Sequence, residues 1–123
     1  ICSFVEDIYY LASMLSAQDD LTVLQVKDYI KNPKENGYRS LHLIIQTPIF
    51  LSDQKKNMRV EVQFRTIAMD FWASVDHKLK YKKNVKNPEM IVGELRKCAD
   101  IISSVDQRMQ EIRTMIEEGE IDD

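Results

Sequence analysis

Glycine and proline are scarce in this chain, three of each among 123 residues, and neither a low-complexity tract nor an internal repeat is present. Cysteine is nearly absent. Cys2 and Cys98 lie far apart with no neighbours at metal-ligand spacing, so they read as reduced thiols of a cytoplasmic protein, Cys98 at an apolar helix position. No apolar run is long enough to cross a bilayer, and no signal peptide is visible. A basic excess is also lacking. The net charge of -3 and pI near 5.4 argue against a protein that coats DNA or RNA, because counterion release needs a basic surface. The chain does not start with methionine, and Ile1-Cys2-Ser3-Phe4 reads as the tail of a buried strand entered from upstream. The expectation is a fragment: a single domain over 1–123, incomplete at its N-terminus.

What is present suffices for a core, at 44% hydrophobic residues. Val5, Ile8, Tyr9, Ala12 and Leu15 recur at helical spacing, predicting a helix over about 5–18 with Ser3 as N-cap and Glu6 and Asp7 in its first turn. Leu21 to Lys27 predicts a strand, followed by the turn signals Asn32-Pro33 and Asn36-Gly37. Strands over about 40–47 and 58–65 follow, joined by a polar loop from Ser52 to Asn57. From Thr66 the period becomes helical, with Ile67, Phe71, Val75 and Leu79 on one stripe beside Ala68 and Trp72, and Asp70, Ser74, His77 and Tyr81 on another face. Beyond Pro88, Ile91, Leu95, Cys98, Ile102, Val105, Met109, Ile112 and Ile116 form a heptad seam. It suits packing across the domain's own surface and a subunit contact equally. The fold class is therefore α/β (α+β): a mixed, mainly antiparallel sheet of four or more strands flanked by helices, ending in a long C-terminal helix.

Alternation along the last strand directs Met58, Val60, Val62 and Phe64 to a core and Arg59, Glu61, Gln63 and Arg65 to the opposite face. On the strand before it, His42, Ile44 and Gln46 share a face. Antiparallel pairing would set His42 beside Glu61 and Gln63. Glu61, flanked by valines on what reads as a central strand, needs a cation or a donor to remain charged; a divalent metal, a reacting hydroxyl, or a salt bridge to Arg59 or Arg65 would each serve. Tyr38, held in a tight turn after Gly37, either offers a ring face for base stacking or folds over the turn as a lid. Lys27, Lys34 and Arg39 are candidates for phosphate, Arg39 through a bidentate fork. A second basic run, His77, Lys78, Lys80, Lys82, Lys83 and Lys86, reads as a solvated helix end or as a further phosphate contact. His42 and Gln63 could orient a ligand, and His42 has no second histidine nearby to share a metal.

Three ordered motifs carry a family resemblance. Val26-Lys27-Asp28-Tyr29-Ile30, then Asn32-Pro33-Lys34-Glu35-Asn36-Gly37-Tyr38-Arg39-Ser40-Leu41-His42, then Glu61-Val62-Gln63-Phe64-Arg65-Thr66-Ile67-Ala68-Met69-Asp70-Phe71-Trp72-Ala73 resemble the synthetase domain of the RelA/SpoT family, and its single-domain small alarmone synthetases in particular. The resemblance implies a nucleotidyltransferase-like domain that moves the β,γ-pyrophosphoryl group of ATP to the 3′-hydroxyl of GDP or GTP, releasing AMP and making (p)ppGpp, with Mg²⁺ as cofactor. It implies that Tyr38 stacks on guanine, that Lys27, Asn36 and His42 hold the guanosine nucleotide with Gln63, and that Glu61 is general base, magnesium ligand, or both in turn. Two departures stand out. The family's ATP-binding basic motif and its magnesium-sharing aspartate precede the strand ending near Cys2, so the resemblance covers the acceptor half of the site, and the fragment alone is expected to be inactive. Glu35 stands where many relatives carry proline. A homo-oligomer, up to a tetramer for the complete protein, is the expected assembly. The rival readings are a guanine-nucleotide or (p)ppGpp-binding module without catalysis, and an oligomerisation element.

Overall fold

The computed structural model describes residues 1–80 and 86–119. Tyr81, Lys82 and Lys83, part of the second helix face and basic run singled out above, lie outside them. The elements run α1 (Val5–Ser16), β1 (Thr22–Asp28), β2 (Leu41–Phe50), β3 (Lys55–Phe64), α2 (Ile67–Lys80) and α3 (Pro88–Glu117).

Helix α1 begins one residue later than its expected cap implies. Phe4, with extended backbone, takes the N-cap position and offers no side-chain acceptor, so Ser3 does not cap. The helix ends early, at Ser16, whose hydroxyl donates back to the Ala12 carbonyl at 2.7 Å. Its inner face, Ile8 and Ala12 with Val5, Tyr9 and Leu15, packs on Leu41, Leu43 and Ile45 of β2. Complete burial of Ile8 is worth about 1.5–3 kcal/mol. Tyr9 also donates to Asp28 Oδ2 at 2.9 Å, and burial together with that carboxylate pushes its phenol pKa up.

The sheet is antiparallel throughout, in the order β1-β2-β3. Among the described residues this corrects the expectation of four or more strands. The parallel component is a lone bridge between Cys2 and Thr66, where Cys2 N donates to Arg65 O and Ile67 N to Cys2 O. Among the described residues β2 is central and β3 lies at the sheet's edge, so Glu61 sits on an edge strand there rather than a central one, and its side chain is 47% exposed. The β2-β3 hairpin is longer than its hydrophobic pattern suggests, pairing out to Phe50 with Lys55. Its outer half leaves the core, which is why Met58 and Val60 are exposed while Val62 and Phe64 are half-buried. In β1 the register shifts between Val23 and Gln25. That bulge leaves Leu24 without a partner residue and turns it to solvent.

The two later helices depart most from their patterns. In α2 the buried positions are Met69, Trp72 and Asp76, whereas Ile67 and Phe71 are more than 60% exposed. Polar anchors set this rotation. Thr66, fully buried, accepts from Met69 N at 3.1 Å and donates to Asp106 of α3 at 2.6 Å, and Trp72 Nε1 donates to Leu95 O at 3.0 Å. In α3 the inner line is centred on Ala99 and Asp106, with Leu95 and Ile102 half-buried beside it. Ile91, Cys98, Val105, Met109, Ile112 and Ile116 of the expected seam are exposed, so Cys98 does not fill the intramolecular face. The far end of α3 is tied to α1 by Arg113 to Asp7 at 2.8 Å and Gln110 to Glu6 at 2.8 Å.

Candidate functional site

The face of the sheet opposite α1 carries the candidate residues, because strand alternation and the antiparallel register leave no other arrangement. Lys27 pairs with His42 and His42 with Gln63, forming one row across all three strands; the next row sets Ile44 against Glu61. His42 Nδ1 lies 2.9 Å from Glu61 Oε1, and its Nε2 lies 3.0 Å from the Tyr38 hydroxyl. Ser40 Oγ donates to that hydroxyl at 3.0 Å. Gln63 Nε2 donates to the same Glu61 Oε1 at 3.3 Å.

These bonds have a direction. A proton on Nδ1 serves Glu61, which leaves Nε2 to accept from the Tyr38 O–H, whose oxygen accepts in turn from Ser40. The imidazole is thus held neutral, in agreement with its pKa, which burial lowers against the opposing pull of Glu61, with Arg65 and Lys34 lowering it further. Both bonds to Glu61 fall on Oε1. Among the described residues its second oxygen takes no bond, and it is open to a hydroxyl or a cation. Arg65 donates to Gln63 Oε1 and pairs with Asp70 at 3.2 Å, and among the described residues no ion pair joins Glu61 to Arg65 or Arg59.

Above the rows sits the turn. Gly37 adopts φ +98, a conformation an L side chain rarely takes, and Asn36 Oδ1 accepts from Tyr38 N at 3.1 Å. Tyr38 is half-buried. Tyr29, His42 and Trp72 surround its ring with centroids at 6.0, 5.9 and 6.3 Å, and Lys34 Nζ lies 5.3 Å from its centroid. The ring therefore also lines an open cleft of about 560 Å³, together with Lys34, Asn36, Arg65 and, from α2, Ala73, Ser74, Asp76, His77 and Lys78. Arg39 turns away from it: its guanidinium bonds Asp100 of α3 at 3.0 Å and Gly37 O at 3.4 Å.

The fold thus gathers Glu61, His42, Gln63 and Tyr38 into one bonded string, with Lys27 in its row and Lys34 and Asn36 on the cleft. Sequence reasoning missed Ser40, Tyr29 and Trp72 as neighbours of Tyr38. The two tyrosines lie in separate motifs, and only the fold of the intervening turn makes them edge-packed rings. For a magnesium ion, Glu61 offers one hard anionic oxygen. That suits an ion which takes one or two protein carboxylates and completes its shell with water and substrate phosphates; among the described residues no group of three metal-ligating side chains stands together.

This arrangement has known counterparts. A family model described as a region found in RelA / SpoT proteins matches residues 1–86. The chain belongs to the RelA/SpoT family. It is 46% identical over 117 residues to the GTP pyrophosphokinase YwaC of Bacillus subtilis (strain 168), covering 95% of this chain and 56% of that protein. It superposes on the small alarmone synthetase 2 of Bacillus subtilis with a TM-score of 0.87 at 47% identity, over 93% of this chain and 62% of that one. The small alarmone synthetase 1 from the same organism, bound to its product pppGpp, gives 0.85 at 40% identity, over 94% and 59%. The chain spans little more than half the length of that GTP pyrophosphokinase YwaC.

Proposed function

We propose that this chain carries the guanosine-nucleotide side of a (p)ppGpp synthetase, which transfers pyrophosphate from ATP to the 3′-hydroxyl of GDP or GTP. The observation that carries this reading is the string Ser40, Tyr38, His42, Glu61 on the open sheet face, which meets a cleft that holds basic side chains at Tyr38 and ends at a carboxylate with one oxygen unengaged among the described residues. In the reaction the ribose 3′-oxygen bonds to the β-phosphorus of ATP, the bond from that phosphorus to the α,β-bridging oxygen breaks, and AMP leaves. The hydroxyl proton goes to Glu61, oriented by the neutral His42 and by Gln63. Tyr38 stacks on the guanine, and Lys27, Lys34 and Asn36 hold the nucleotide. Glu61 would also hold Mg²⁺, whose contribution is to offset charge on the migrating phosphates.

A cytoplasmic site of action follows from these substrates, and among the described residues no helix is long and apolar enough to cross a membrane. Assembly as a homo-oligomer is supported by the outward apolar row of α3. A full-length protein that joins this chain to an ATP-binding half, incubated with ATP, GDP and Mg²⁺, should release ppGpp and AMP in equal amounts, resolved by anion-exchange chromatography. Saturable GDP binding without either product would favour the non-catalytic binding module instead.

A further inference from the structure

The turn that carries Tyr38 is braced by α3, an element with no residue in the bonded string. A Cβ built on Gly37 would stand 2.5 Å from Ala99 Cβ and 3.3 Å from Arg96 Cα, so the backbone at Gly37 rests directly on the helix. Ala99 is buried there, at 3% exposure. One turn around the contact, Arg96 donates to the carbonyls of Lys34 at 3.3 Å and Glu35 at 3.5 Å. Asp100 bonds Arg39 at 3.0 Å and Arg96 at 3.4 Å, and the Arg39 bond foremost holds its carboxyl below the ordinary aspartate range. Arg39 itself is well covered, its side chain 13% exposed. Both its terminal nitrogens are used by protein acceptors, Gly37 O and Asp100.

We propose that Ala99, Arg96 and Asp100 of α3, acting through Gly37 and Arg39, are positioning residues for the guanosine-nucleotide subsite, and that Arg39 is a strut between turn and helix rather than a phosphate ligand. The inference rests on the reading of Tyr38 as the base-stacking residue. A ring stacks productively only if its backbone is fixed before the nucleotide arrives, since ordering it on binding would subtract from affinity. Here the turn is fixed by steric support at Gly37 and by charge-assisted bonds on either side of it.

A double-mutant cycle on GDP affinity separates strut from ligand. If Arg39 and Asp100 act as one unit, Arg39→Ala and Asp100→Ala each weaken GDP about two- to fivefold, as expected for one exposed ion pair, and the double variant is no worse than either single one. If Arg39 contacts phosphate, Asp100→Ala leaves GDP affinity unchanged and Arg39→Ala alone weakens it, which would overturn the proposal. Hydrogen exchange at the Gly37 and Tyr38 amides gives a readout independent of nucleotide: Asp100→Ala should speed both in the free protein, and unchanged exchange counts against the brace. Ala99→Leu should displace the turn and weaken GDP about tenfold or more, and Ala99→Gly, which removes the methyl on which Gly37 rests, should weaken it about two- to fivefold; equal affinity in all three would remove steric support from the account. Wild-type protein that fails to bind GDP would refute the nucleotide reading, and with it the proposal's claim about the subsite, while exchange still tests the brace.

Discussion

At the scale of single residues, the proposed function rests on a carboxylate and a ring joined by one imidazole. In a full-length protein that includes the ATP-binding half, Glu61→Gln keeps the shape and the Gln63 contact but removes the proposed base and the charge offered to a cation. We expect turnover to fall by about 10²–10⁴-fold, with a modest change in GDP affinity; wild-type-like synthesis would refute the assignment of Glu61. Tyr38→Ala should weaken GDP about tenfold or more, base stacking being worth about 1–3 kcal/mol. Tyr38→Phe keeps the ring yet cuts the bond to His42 Nε2. Its GDP affinity should stay near wild type while kcat falls, a split that steady-state kinetics reads directly. His42 brings a pH dependence. Its folded pKa is below the ordinary histidine value, so the unfolded chain takes up the proton first, and stability is lost as pH falls below about 6.5 toward the folded value. Urea midpoints between about pH 5 and 7 should slope upward in wild type and flatten in His42→Asn; equal slopes would show that another group titrates.

At the scale of elements, the alternation in β2 and β3 was legible because a strand has one period and two faces, and the face with His42, Glu61 and Gln63 followed from it. The helices were less legible. Hydrophobic spacing in α2 named Ile67, Phe71, Val75 and Leu79, but the face turned inward is the one with Met69, Trp72 and Asp76, set by a threonine hydroxyl and an indole N–H. A buried polar contact gives no hydrophobic signal, so a pattern of apolar residues passes it by. The Thr66–Asp106 bond joins α2 to α3, and burial raises the Asp106 pKa against the lowering effect of Thr66. Folding thus disfavours the ionised form, and this contribution to stability is lost as pH rises from about 3.9 through the folded value. At neutral pH Asp106→Asn should be neutral or stabilising, whereas Asp106→Ala, which strips the Thr66 hydroxyl of its acceptor, should cost about 1–3 kcal/mol. Chemical denaturation compares the two; a larger loss for asparagine than for alanine would show that the charge itself is needed.

At the scale of the molecule, the outward row of α3, with Val105, Met109, Ile112 and Ile116 all more than 40% exposed, is large for a surface left to water. Replacing Val105 and Met109 with Glu should lower the native mass toward the monomer while circular dichroism stays unchanged, since neither residue is on the intramolecular face; an unchanged mass in light scattering would refute a subunit contact there. The sequence by itself determined the class of fold, the face of the sheet shared by His42, Glu61 and Gln63, and the turn that carries Tyr38, because alternation, turn chemistry and motif spacing are local properties of the chain. Tertiary structure alone decided which face of α2 and α3 is buried, that β3 lies at the sheet's edge among the described residues, that Tyr29, Tyr38 and Trp72 form one cluster, and that Arg39 reaches Asp100 rather than the cleft. Each of those outcomes depends on contacts between residues distant in sequence. Their energies are set by where whole elements dock, which no periodicity within an element records.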